Sequence, residues 1–222
     1  MSDLKTAVIG LRNMGIYIVR DLAAGGERLI LSDRDNQSGY AEEEAQRLGP
    51  IASAAPVAQA IADADVVLVD LVFDHVEQLI AETGHALAGK VFIDTSSPIK
   101  SMGRGQFGRY VPEGTSAGEV IASKLPSGAH YVKSFNAFGP LPMRDGPNRK
   151  PDRVALFYAT EDDQAAKVVE QLISAAGFDP CKAGGVKACL RIEQHGDLFQ
   201  NADIKQLWNL AQAKAAVDKT GA

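Results

Sequence analysis

The feature that most constrains the fold is a glycine turn near the start of the chain, where residues 6–15 read TAVIGLRNMG. The apolar run before Gly10 predicts a short buried strand, and the apolar spacing after Gly15 predicts a helix. A strand, a glycine turn and a helix in this order present backbone N–H groups and a helix N-terminus to a pyrophosphate. The turn therefore predicts an α/β fold and makes a nucleotide a candidate ligand.

The turn departs from the G-x-G-x-x-G fingerprint at its middle position, where Arg12 replaces glycine. Gly10 permits the tight turn and Gly15 the close packing of helix on strand, whereas a middle glycine leaves room for the cofactor. Arg12 would either crowd the phosphates or pair its guanidinium group with one of them. The alternative is a plain strand-helix turn with a solvated arginine and no nucleotide. The fingerprint alone leaves both interpretations open.

The composition describes a globular protein and excludes several classes of partner. A chain of 222 residues, 45% of them hydrophobic, fits one medium domain with a small appendage. The net charge of -5, without a basic cluster, argues against a nucleic-acid partner. No apolar run approaches the roughly 20 residues that span a bilayer, so we expect no membrane contact. The N-terminus lacks the features of a signal peptide.

The two cysteines, Cys181 and Cys189, are too few for a disulfide framework and match no metal motif. We therefore expect reduced thiols, no bound metal and a cytoplasmic protein.

Strands and helices alternate along the chain, which predicts a doubly wound parallel sheet with right-handed crossovers. The predicted strands are residues 7–9, 28–32, 66–69, 90–94, 130–135, 153–160 and 178–182. Two glycine-containing stretches, residues 99–115 and 139–151, are predicted to be irregular loops, and a loop as long as the first is usually functional or mobile.

The domain organisation follows from the same pattern. Residues 1–183 form the predicted nucleotide-binding domain, and residues 184–222 a short helical C-terminal extension. Its helices are predicted near residues 186–199 and 204–217.

In a doubly wound sheet, ligands bind beyond the carboxyl ends of the strands. The segments that directly follow five predicted strands are residues 10–15, 33–34, 72–75, 95–98 and 136–139. Asp33, eighteen residues past Gly15, would accept hydrogen bonds from the hydroxyls of an adenosine ribose and favours NAD. Arg34 would pair with a 2′-phosphate and favours NADP. The choice between the two nucleotides stays open, and so does the alternative that this segment is a polar turn capping the next helix.

An acid ends the third predicted strand. Residues 66–69 read VVLV, which is typical of a buried parallel strand, and Asp70 follows them. Asp70 either lies at the carboxyl edge of the sheet, facing the site, or needs a buried partner.

Four motifs lie in order along residues 6–200. They are residues 8–15 (VIGLRNMG), 64–69 (ADVVLV) followed by Phe73, 93–98 (IDTSSP) and 132–136 (VKSFN). Together they resemble the NADP oxidoreductases that depend on the deazaflavin coenzyme F420, with their bacterial relatives of unassigned substrate. The resemblance implies a Rossmann domain with a small helical C-terminal part, a homodimer, and hydride transfer between NADP or NAD and a small-molecule redox partner, a deazaflavin or a flavin.

The resemblance also implies a role for individual residues. The pyrophosphate would lie against Gly10, Leu11, Arg12, Asn13, Met14 and Gly15, and the adenosine ribose against Asp33 and Arg34. The ribose on the nicotinamide side would contact Val72 and Phe73, and the ring would lie beside Ser96, Ser97 and Pro98. Asn136 would lie close to the path of the hydride.

This sequence departs from the family pattern at four of these positions. Arg12 replaces the middle glycine, Asp33 replaces a small hydroxyl residue, Val72 replaces proline, and Ser97 replaces asparagine. These departures favour a first alternative, a non-catalytic or nucleotide-sensing relative with impaired dinucleotide binding.

The chemistry leaves a second alternative open. Hydride transfer between two rings mainly requires that the rings are aligned and water is excluded, whereas reduction of a carbonyl or imine needs a proton donor. The candidate donors are His75, His130, Tyr131, Lys133 and His195. We assign the catalytic roles to Asn136 and His75. The larger β-hydroxyacid dehydrogenases and imine reductases share the start Gly-Leu-x-Asn-Met-Gly, but the roughly forty residues after the last predicted strand are too few for their helical domain.

Overall fold

The structure is a computed structural model that describes residues 4–33, 39–103, 106–200 and 207–219. The strands are β1 (Lys5–Ile9), β2 (Arg28–Ser32), β3 (Ala52–Ala54), β4 (Val66–Val69), β5 (Val91–Asp94), β6 (Ile99–Gly103), β7 (Gln106–Arg109), β8 (His130–Ser134), β9 (Ala155–Ala159) and β10 (Asp179–Gly184). Eight of them form one sheet in the order β10-β9-β8-β5-β4-β1-β2-β3, and β6 and β7 form a separate antiparallel hairpin.

Helices cover both faces of the eight-stranded sheet. They are α1 (Gly15–Ala24), α2 (Tyr40–Leu48), α3 (Val57–Asp63), α4 (Phe73–Thr83), α5 (Ala117–Lys124), α6 (Pro140–Asp145), α7 (Asp163–Ala175), α8 (Cys189–Ile192) and α9 (Leu210–Asp218). Among the described helices, none is both long enough and apolar enough to cross a bilayer.

The core lies on the two faces of the sheet. Alternate strand residues such as Val8 and Leu68 pack with α1, α2 and α7 on one face. The residues between them, such as Ile9 and Val67, pack with α4, α5 and α8 on the other face. All four residues of β4 are buried because both faces are covered, which is why this strand is apolar without alternation. The predicted doubly wound α/β fold is therefore confirmed.

One strand pairing departs from the expected parallel sheet. The pairs β2–β3, β1–β2, β1–β4, β4–β5, β5–β8 and β9–β10 are parallel, but β8 and β9 are antiparallel, with Lys133 opposite Ala159. The expectation of a wholly parallel sheet is wrong here because the chain between β8 and β9 returns at the same end of the sheet. The carboxyl ends of β1, β2, β4, β5 and β8 therefore share one edge, and β9 and β10 end at the opposite edge.

Two predicted loops contain regular structure. The hairpin of β6 and β7 lies within residues 99–115, and α6 lies within residues 139–151. The short edge strand β3 has no counterpart among the predicted strands. Because glycines and prolines lie at the ends of these elements, the sequence pattern predicted irregular chain instead.

The C-terminal extension is less helical than predicted. After a 3-10 turn at Val186–Ala188, helix α8 ends at Ile192 because Glu193 adopts an extended backbone. The predicted helix over residues 186–199 is therefore wrong in its second half. Helix α9 begins at Asn209, whose side chain forms a reciprocal capping box with Gln212. The predicted helix over residues 204–217 is wrong at residues 207–209, which are not helical, and its start near residue 204 lies outside the described residues.

Candidate functional site

A cavity of about 210 Å³ opens at the edge where the five strands end. It is lined by Gly10, Leu11, Arg12, Asp33, Asp70, Leu71 and His75. Five of these residues belong to the predicted site, and the structure brings them together from the ends of β1, β2 and β4. Asp70 and Leu71 were not in the predicted set of binding residues, although an acid directly after a buried strand was a signal for Asp70.

The two glycines of the turn are required by the fold itself. Gly10 has a φ of +94°, and a Cβ atom there would lie 2.3 Å from the carbonyl oxygen of Asp70. A Cβ atom on Gly15 would lie 2.1 Å from the carbonyl oxygen of Gly10. The other left-handed residue of the turn is Asn13, with a φ of 59°. Because Arg12 has no positive φ, its backbone accepts a side chain without strain.

Arg12 supplies the cationic side chain of the cavity. It is exposed and lines the cavity beside the N-terminus of α1. Helix α1 has no acidic residue in its first turn, and no side chain caps it at Met14. A guanidinium group beside a helix N-terminus attracts an anion such as a phosphate.

Asp70 contributes a carboxylate to the same place. Its Oδ2 atom accepts a hydrogen bond from the Gly15 N–H group at 2.6 Å, and its Oδ1 atom accepts one from the Thr95 hydroxyl at 2.8 Å. Burial raises the pKa of Asp70 to about 6, and the hydrogen bonds from Thr95 and Gly15 only partly oppose this rise. The two alternatives for Asp70 were that it faces the site or that it has a buried partner, and the structure shows both.

A second polar cluster, which we call the Lys133 cluster, lies buried beneath the end of β5. It consists of Lys133, Asp94, Glu193, Tyr131 and Ser96. The Lys133 Nζ atom lies 2.8 Å from Asp94 Oδ2, 3.3 Å from Glu193 Oε1 and 3.4 Å from Ser96 Oγ. The Tyr131 hydroxyl donates a hydrogen bond to Asp94 Oδ2 at 3.0 Å, and the Ser96 N–H group donates one to Asp94 Oδ1 at 2.8 Å.

The cluster decides what two of the candidate proton donors can do. Burial alone would lower the pKa of Lys133, but the charges of Asp94 and Glu193 raise it above its ordinary value. Burial and the neighbouring Asp94 raise the pKa of Tyr131 as well. Lys133 is fully buried and contacts the Ser96 hydroxyl, so its ammonium group has no exposed surface to offer a substrate.

The predicted catalytic residues lie in different surroundings. His75 lines the cavity from the first turn of α4. Asn136 does not line it and is only 3% exposed. Its Nδ2 atom donates to the Ile192 carbonyl oxygen at 3.0 Å, and its Oδ1 atom is buried without a hydrogen-bond donor. The preceding Phe135 has a φ of 59°, a strained conformation for a bulky residue.

Leu11 and Phe73 are fully buried. Both side chains belong to the hydrophobic core, and Phe73 also contacts the ring of Tyr110. Leu11 also lines the cavity, and the predicted contacts of both residues with a dinucleotide stay predictions. Val72 caps the start of α4, and Ser97 and Pro98 lead from β5 into the hairpin.

The remaining candidates lie away from the cavity. His130 begins β8 at the opposite edge of the sheet, where its Nδ1 atom lies 2.6 Å from the Asp162 carboxylate. His195 is exposed in the C-terminal extension. Cys181 and Cys189 are buried free thiols. Arg34, the predicted partner of a 2′-phosphate, lies outside the described residues.

A doubly wound sheet with a glycine turn before α1 and an acid after β2 defines the class of dinucleotide-binding Rossmann proteins. Comparison with known proteins narrows this class. Residues 5–98 match the sequence model of the family described as NADP oxidoreductase, coenzyme F420-dependent. The F420-dependent NADP reductase of Methanothermobacter marburgensis is 26% identical over 212 residues, which cover 91% of this chain and 93% of that protein.

Solved structures share the fold. A hypothetical protein of Sinorhizobium meliloti superposes with a TM-score of 0.77 at 22% identity, covering 93% of this chain and 95% of its own. A protein of Arthrobacter sp. FB24, proposed to be an F420-dependent NADP reductase, superposes with a TM-score of 0.69 at 23% identity, covering 82% and 86% of the two chains. The resemblance predicted from the motifs is confirmed: the chain is similar to the F420-dependent NADP oxidoreductases over residues 5–98, and to one F420-dependent NADP reductase over nearly its whole length.

Proposed function

We propose that this protein transfers a hydride between NADPH and a deazaflavin of the coenzyme F420 type. The observation that carries the proposal is the shared edge of the sheet. There the glycine turn, Asp33 and the Ser96 segment follow three parallel strands, as a dinucleotide lying across the switch point requires. The similarity to an F420-dependent NADP reductase over nearly the whole chain supports the deazaflavin as the partner.

The residues present fit such a dinucleotide. The turn offers N–H groups and the Arg12 guanidinium to the pyrophosphate, and Asp33 offers a carboxylate to the adenosine ribose. Ser96, held by the Lys133 cluster, would flank the nicotinamide. Asn136 has a buried amide oxygen without a donor, which an N–H group of a carboxamide would satisfy.

The chemistry demands little acid-base catalysis from the chain. When bound, NADPH supplies the hydride, and the protein aligns the two rings and excludes water between them. The carboxyl edge of the sheet, with Ser96, Ser97 and Asn136, suits the alignment of two rings. We also expect the protein to act as a homodimer in the cytoplasm, and size-exclusion chromatography with light scattering tests the dimer.

The proposal is tested by calorimetric titration of the purified protein with NADPH and with NADH, followed by a hydride-transfer assay. In the assay, NADPH is mixed with the oxidised deazaflavin, and the loss of the visible absorbance of the deazaflavin is followed. We expect binding in the micromolar range and enzyme-dependent bleaching. Absence of binding by either nucleotide would refute the proposal and favour the non-catalytic alternative. Binding without bleaching would refute the deazaflavin as partner.

Arg12 gives a sharper test of the dinucleotide site. Because a charge-assisted hydrogen bond contributes about 1.5–3 kcal/mol, we expect Arg12→Gly to weaken NADPH binding about ten-fold or more. Arg47→Ala, which removes an exposed arginine on α2, is the control and should leave the affinity unchanged. Tighter binding by Arg12→Gly would instead show that the guanidinium crowds the phosphates.

His75 favours a second candidate function, a small carbonyl or imine reductase. It places a titratable side chain in the cavity, where a substrate oxygen or nitrogen would need a proton. NADPH oxidation with simple ketones and imines tests this candidate, and its rate should then fall in His75→Gln. No turnover of such substrates would remove it.

A further inference from the structure

The N-terminus of α1 already holds an anion of the protein itself. The Gly15 N–H group donates to the Asp70 carboxylate, and Asp70 lines the same cavity as Arg12 and Asp33. Two carboxylates therefore face a single described guanidinium group where a pyrophosphate would bring further negative charge. Like charges at this distance oppose binding, unless one of the carboxylates becomes neutral.

Thr95 makes a neutral Asp70 possible without movement of heavy atoms. The Thr95 Oγ1 atom lies 2.8 Å from Asp70 Oδ1 and 3.1 Å from the carbonyl oxygen of Val69. When Asp70 is ionised, the Thr95 hydroxyl donates to it. When Asp70 carries a proton on Oδ1, that proton is donated to Thr95 Oγ1, and the Thr95 hydroxyl turns to the Val69 carbonyl. Oδ2 accepts from Gly15 in both states.

We propose that Asp70 sets the affinity of the site for nicotinamide dinucleotides by taking up a proton when the pyrophosphate binds. Affinity then rises as the pH falls. This inference rests on the proposed function, because it presumes that a dinucleotide occupies the cavity.

Of the charged groups at this place, we expect Asp70 to be the one that takes up the proton. Arg12 from the turn is a permanent cation, and Asp33 from the end of β2 is needed as a carboxylate for the ribose. Asp94 on the neighbouring strand is paired with Lys133. His75 and Asp74 approach from α4, and of these His75 is the competing titratable group in the cavity. Among the described residues, Asp70 has the neutral donors Thr95 and Gly15, and its pKa of about 6 means that it takes up a proton near neutral pH at little cost in free energy.

The experiment is calorimetric titration with NADH, which lacks the 2′-phosphate of NADPH and so excludes titration of that phosphate. Each titration is repeated at pH 7.5 in two buffers of different ionisation enthalpy. We expect uptake of close to one proton per NADH bound, and a dissociation constant that increases about ten-fold from pH 7 to pH 8. Asp70→Asn should bind NADH at pH 8 about as tightly as the wild type does at pH 6, without proton uptake.

His75→Gln is the matched control, since it removes the imidazole that lines the same cavity, and it should retain the proton uptake. Uptake that vanishes in His75→Gln but persists in Asp70→Asn would overturn the inference. So would NADH binding by the wild type without any proton uptake, a result that needs no variant to fold and leaves the proposed function standing. Failure of both nucleotides to bind the wild type and Asp70→Asn between pH 5.5 and pH 8 would instead overturn the proposed function together with this inference.

Discussion

Two carboxylates at the ends of neighbouring strands have opposite surroundings. Asp94 ends β5 in register with Val69, and Asp70 is the next residue after Val69. Asp94 is fully buried and accepts hydrogen bonds from Lys133, Tyr131 and the Ser96 backbone. Within the described part of the chain, Asp70 accepts hydrogen bonds from the neutral donors Thr95 and Gly15, and it faces the cavity.

The difference shows that the partner, more than the position in the fold, determines the role of an acid at this edge. A cation beside Asp94 compensates for its burial and makes it part of the framework. Neutral dipoles beside Asp70 compensate only in part, so its pKa rises to about 6 and its charge becomes variable. Asp94 thus stabilises the framework of the site, whereas the charge of Asp70 is able to respond to a ligand.

The largest effect on stability is expected when Lys133, the cation beside Asp94, is replaced. Lys133→Met leaves Asp94 and Glu193 buried without a cation, which should lower the free energy of unfolding by about 3–5 kcal/mol. Urea denaturation followed by circular dichroism measures it. Lys124→Met is the control, because it breaks an exposed ion pair with Glu77 and should cost less than about 1 kcal/mol. Equal losses in the two variants would contradict the assigned role of Lys133.

The second effect concerns the pH dependence of stability. The pKa of Asp70 is raised from 3.8 to about 6, so between these values the folded chain holds a proton that the unfolded chain has lost. Its contribution to stability is therefore present below pH 4 and is lost as the pH rises to about 6. At about 1.4 kcal/mol per pKa unit, the loss is at most about 3 kcal/mol. In Asp70→Asn this decline should be absent from unfolding curves recorded between pH 4 and pH 7.

Asp21 provides the matched control for that measurement. Burial raises its pKa to about 7, but it lies on α1 and does not line the cavity. Asp21→Asn should therefore change the stability profile in the same direction as Asp70→Asn while leaving NADH affinity unaltered. A parallel change in NADH affinity would show that the response of Asp70 is not specific to the site.

A smaller effect is expected from one neutral donor of the Lys133 cluster. Tyr131→Phe removes a hydrogen bond to Asp94 but leaves those from Lys133 and Ser96, so we expect a loss of about 1.5 kcal/mol. Thermal unfolding monitored by calorimetry measures this loss. A cost as large as that of Lys133→Met would mean that the hydroxyl, and not the cation, stabilises Asp94.

The smallest effect is expected at Thr95. Its hydroxyl lowers the pKa of Asp70, so Thr95→Val should raise that pKa further and cost about 1 kcal/mol or less. The titration of the Asp70 carboxyl carbon, followed by nuclear magnetic resonance, measures the change. A lower pKa in this variant would contradict the role of Thr95 as donor to the ionised form.

Much of the fold was predictable because it is encoded locally. The glycine turn at Gly10 and Gly15 and the apolar runs of β1, β4 and β5 need only neighbouring residues to be recognised. The direction of β9 was not predictable, since it depends on how the chain between β8 and β9 returns. The short strand β3 is specified by pairing with β2, not by its own pattern of alanine and serine.

The site was predictable to the extent that strand ends meet at one edge. The sequence pattern identified Asp33 and His75 as facing the site, and both line the cavity. It gave a buried partner as one alternative for Asp70 without naming it, and it gave Lys133 only as a candidate proton donor, without its partners. Those partners, Thr95 and Glu193, lie far along the chain, and only the folded sheet brings them close.

Glu193 also constrains the order of events during synthesis. Its carboxylate accepts hydrogen bonds from the N–H groups of Ala117 and Gly118 at the start of α5, and it pairs with Lys133 inside the sheet. The ribosome makes these partners long before it makes Glu193, and domains generally fold as units. A nascent chain that ends before Glu193 therefore has a lysine short of one anion and a helix start without its acceptor. The contacts of Lys133 and of the start of α5 are therefore completed only after Glu193 has left the ribosome.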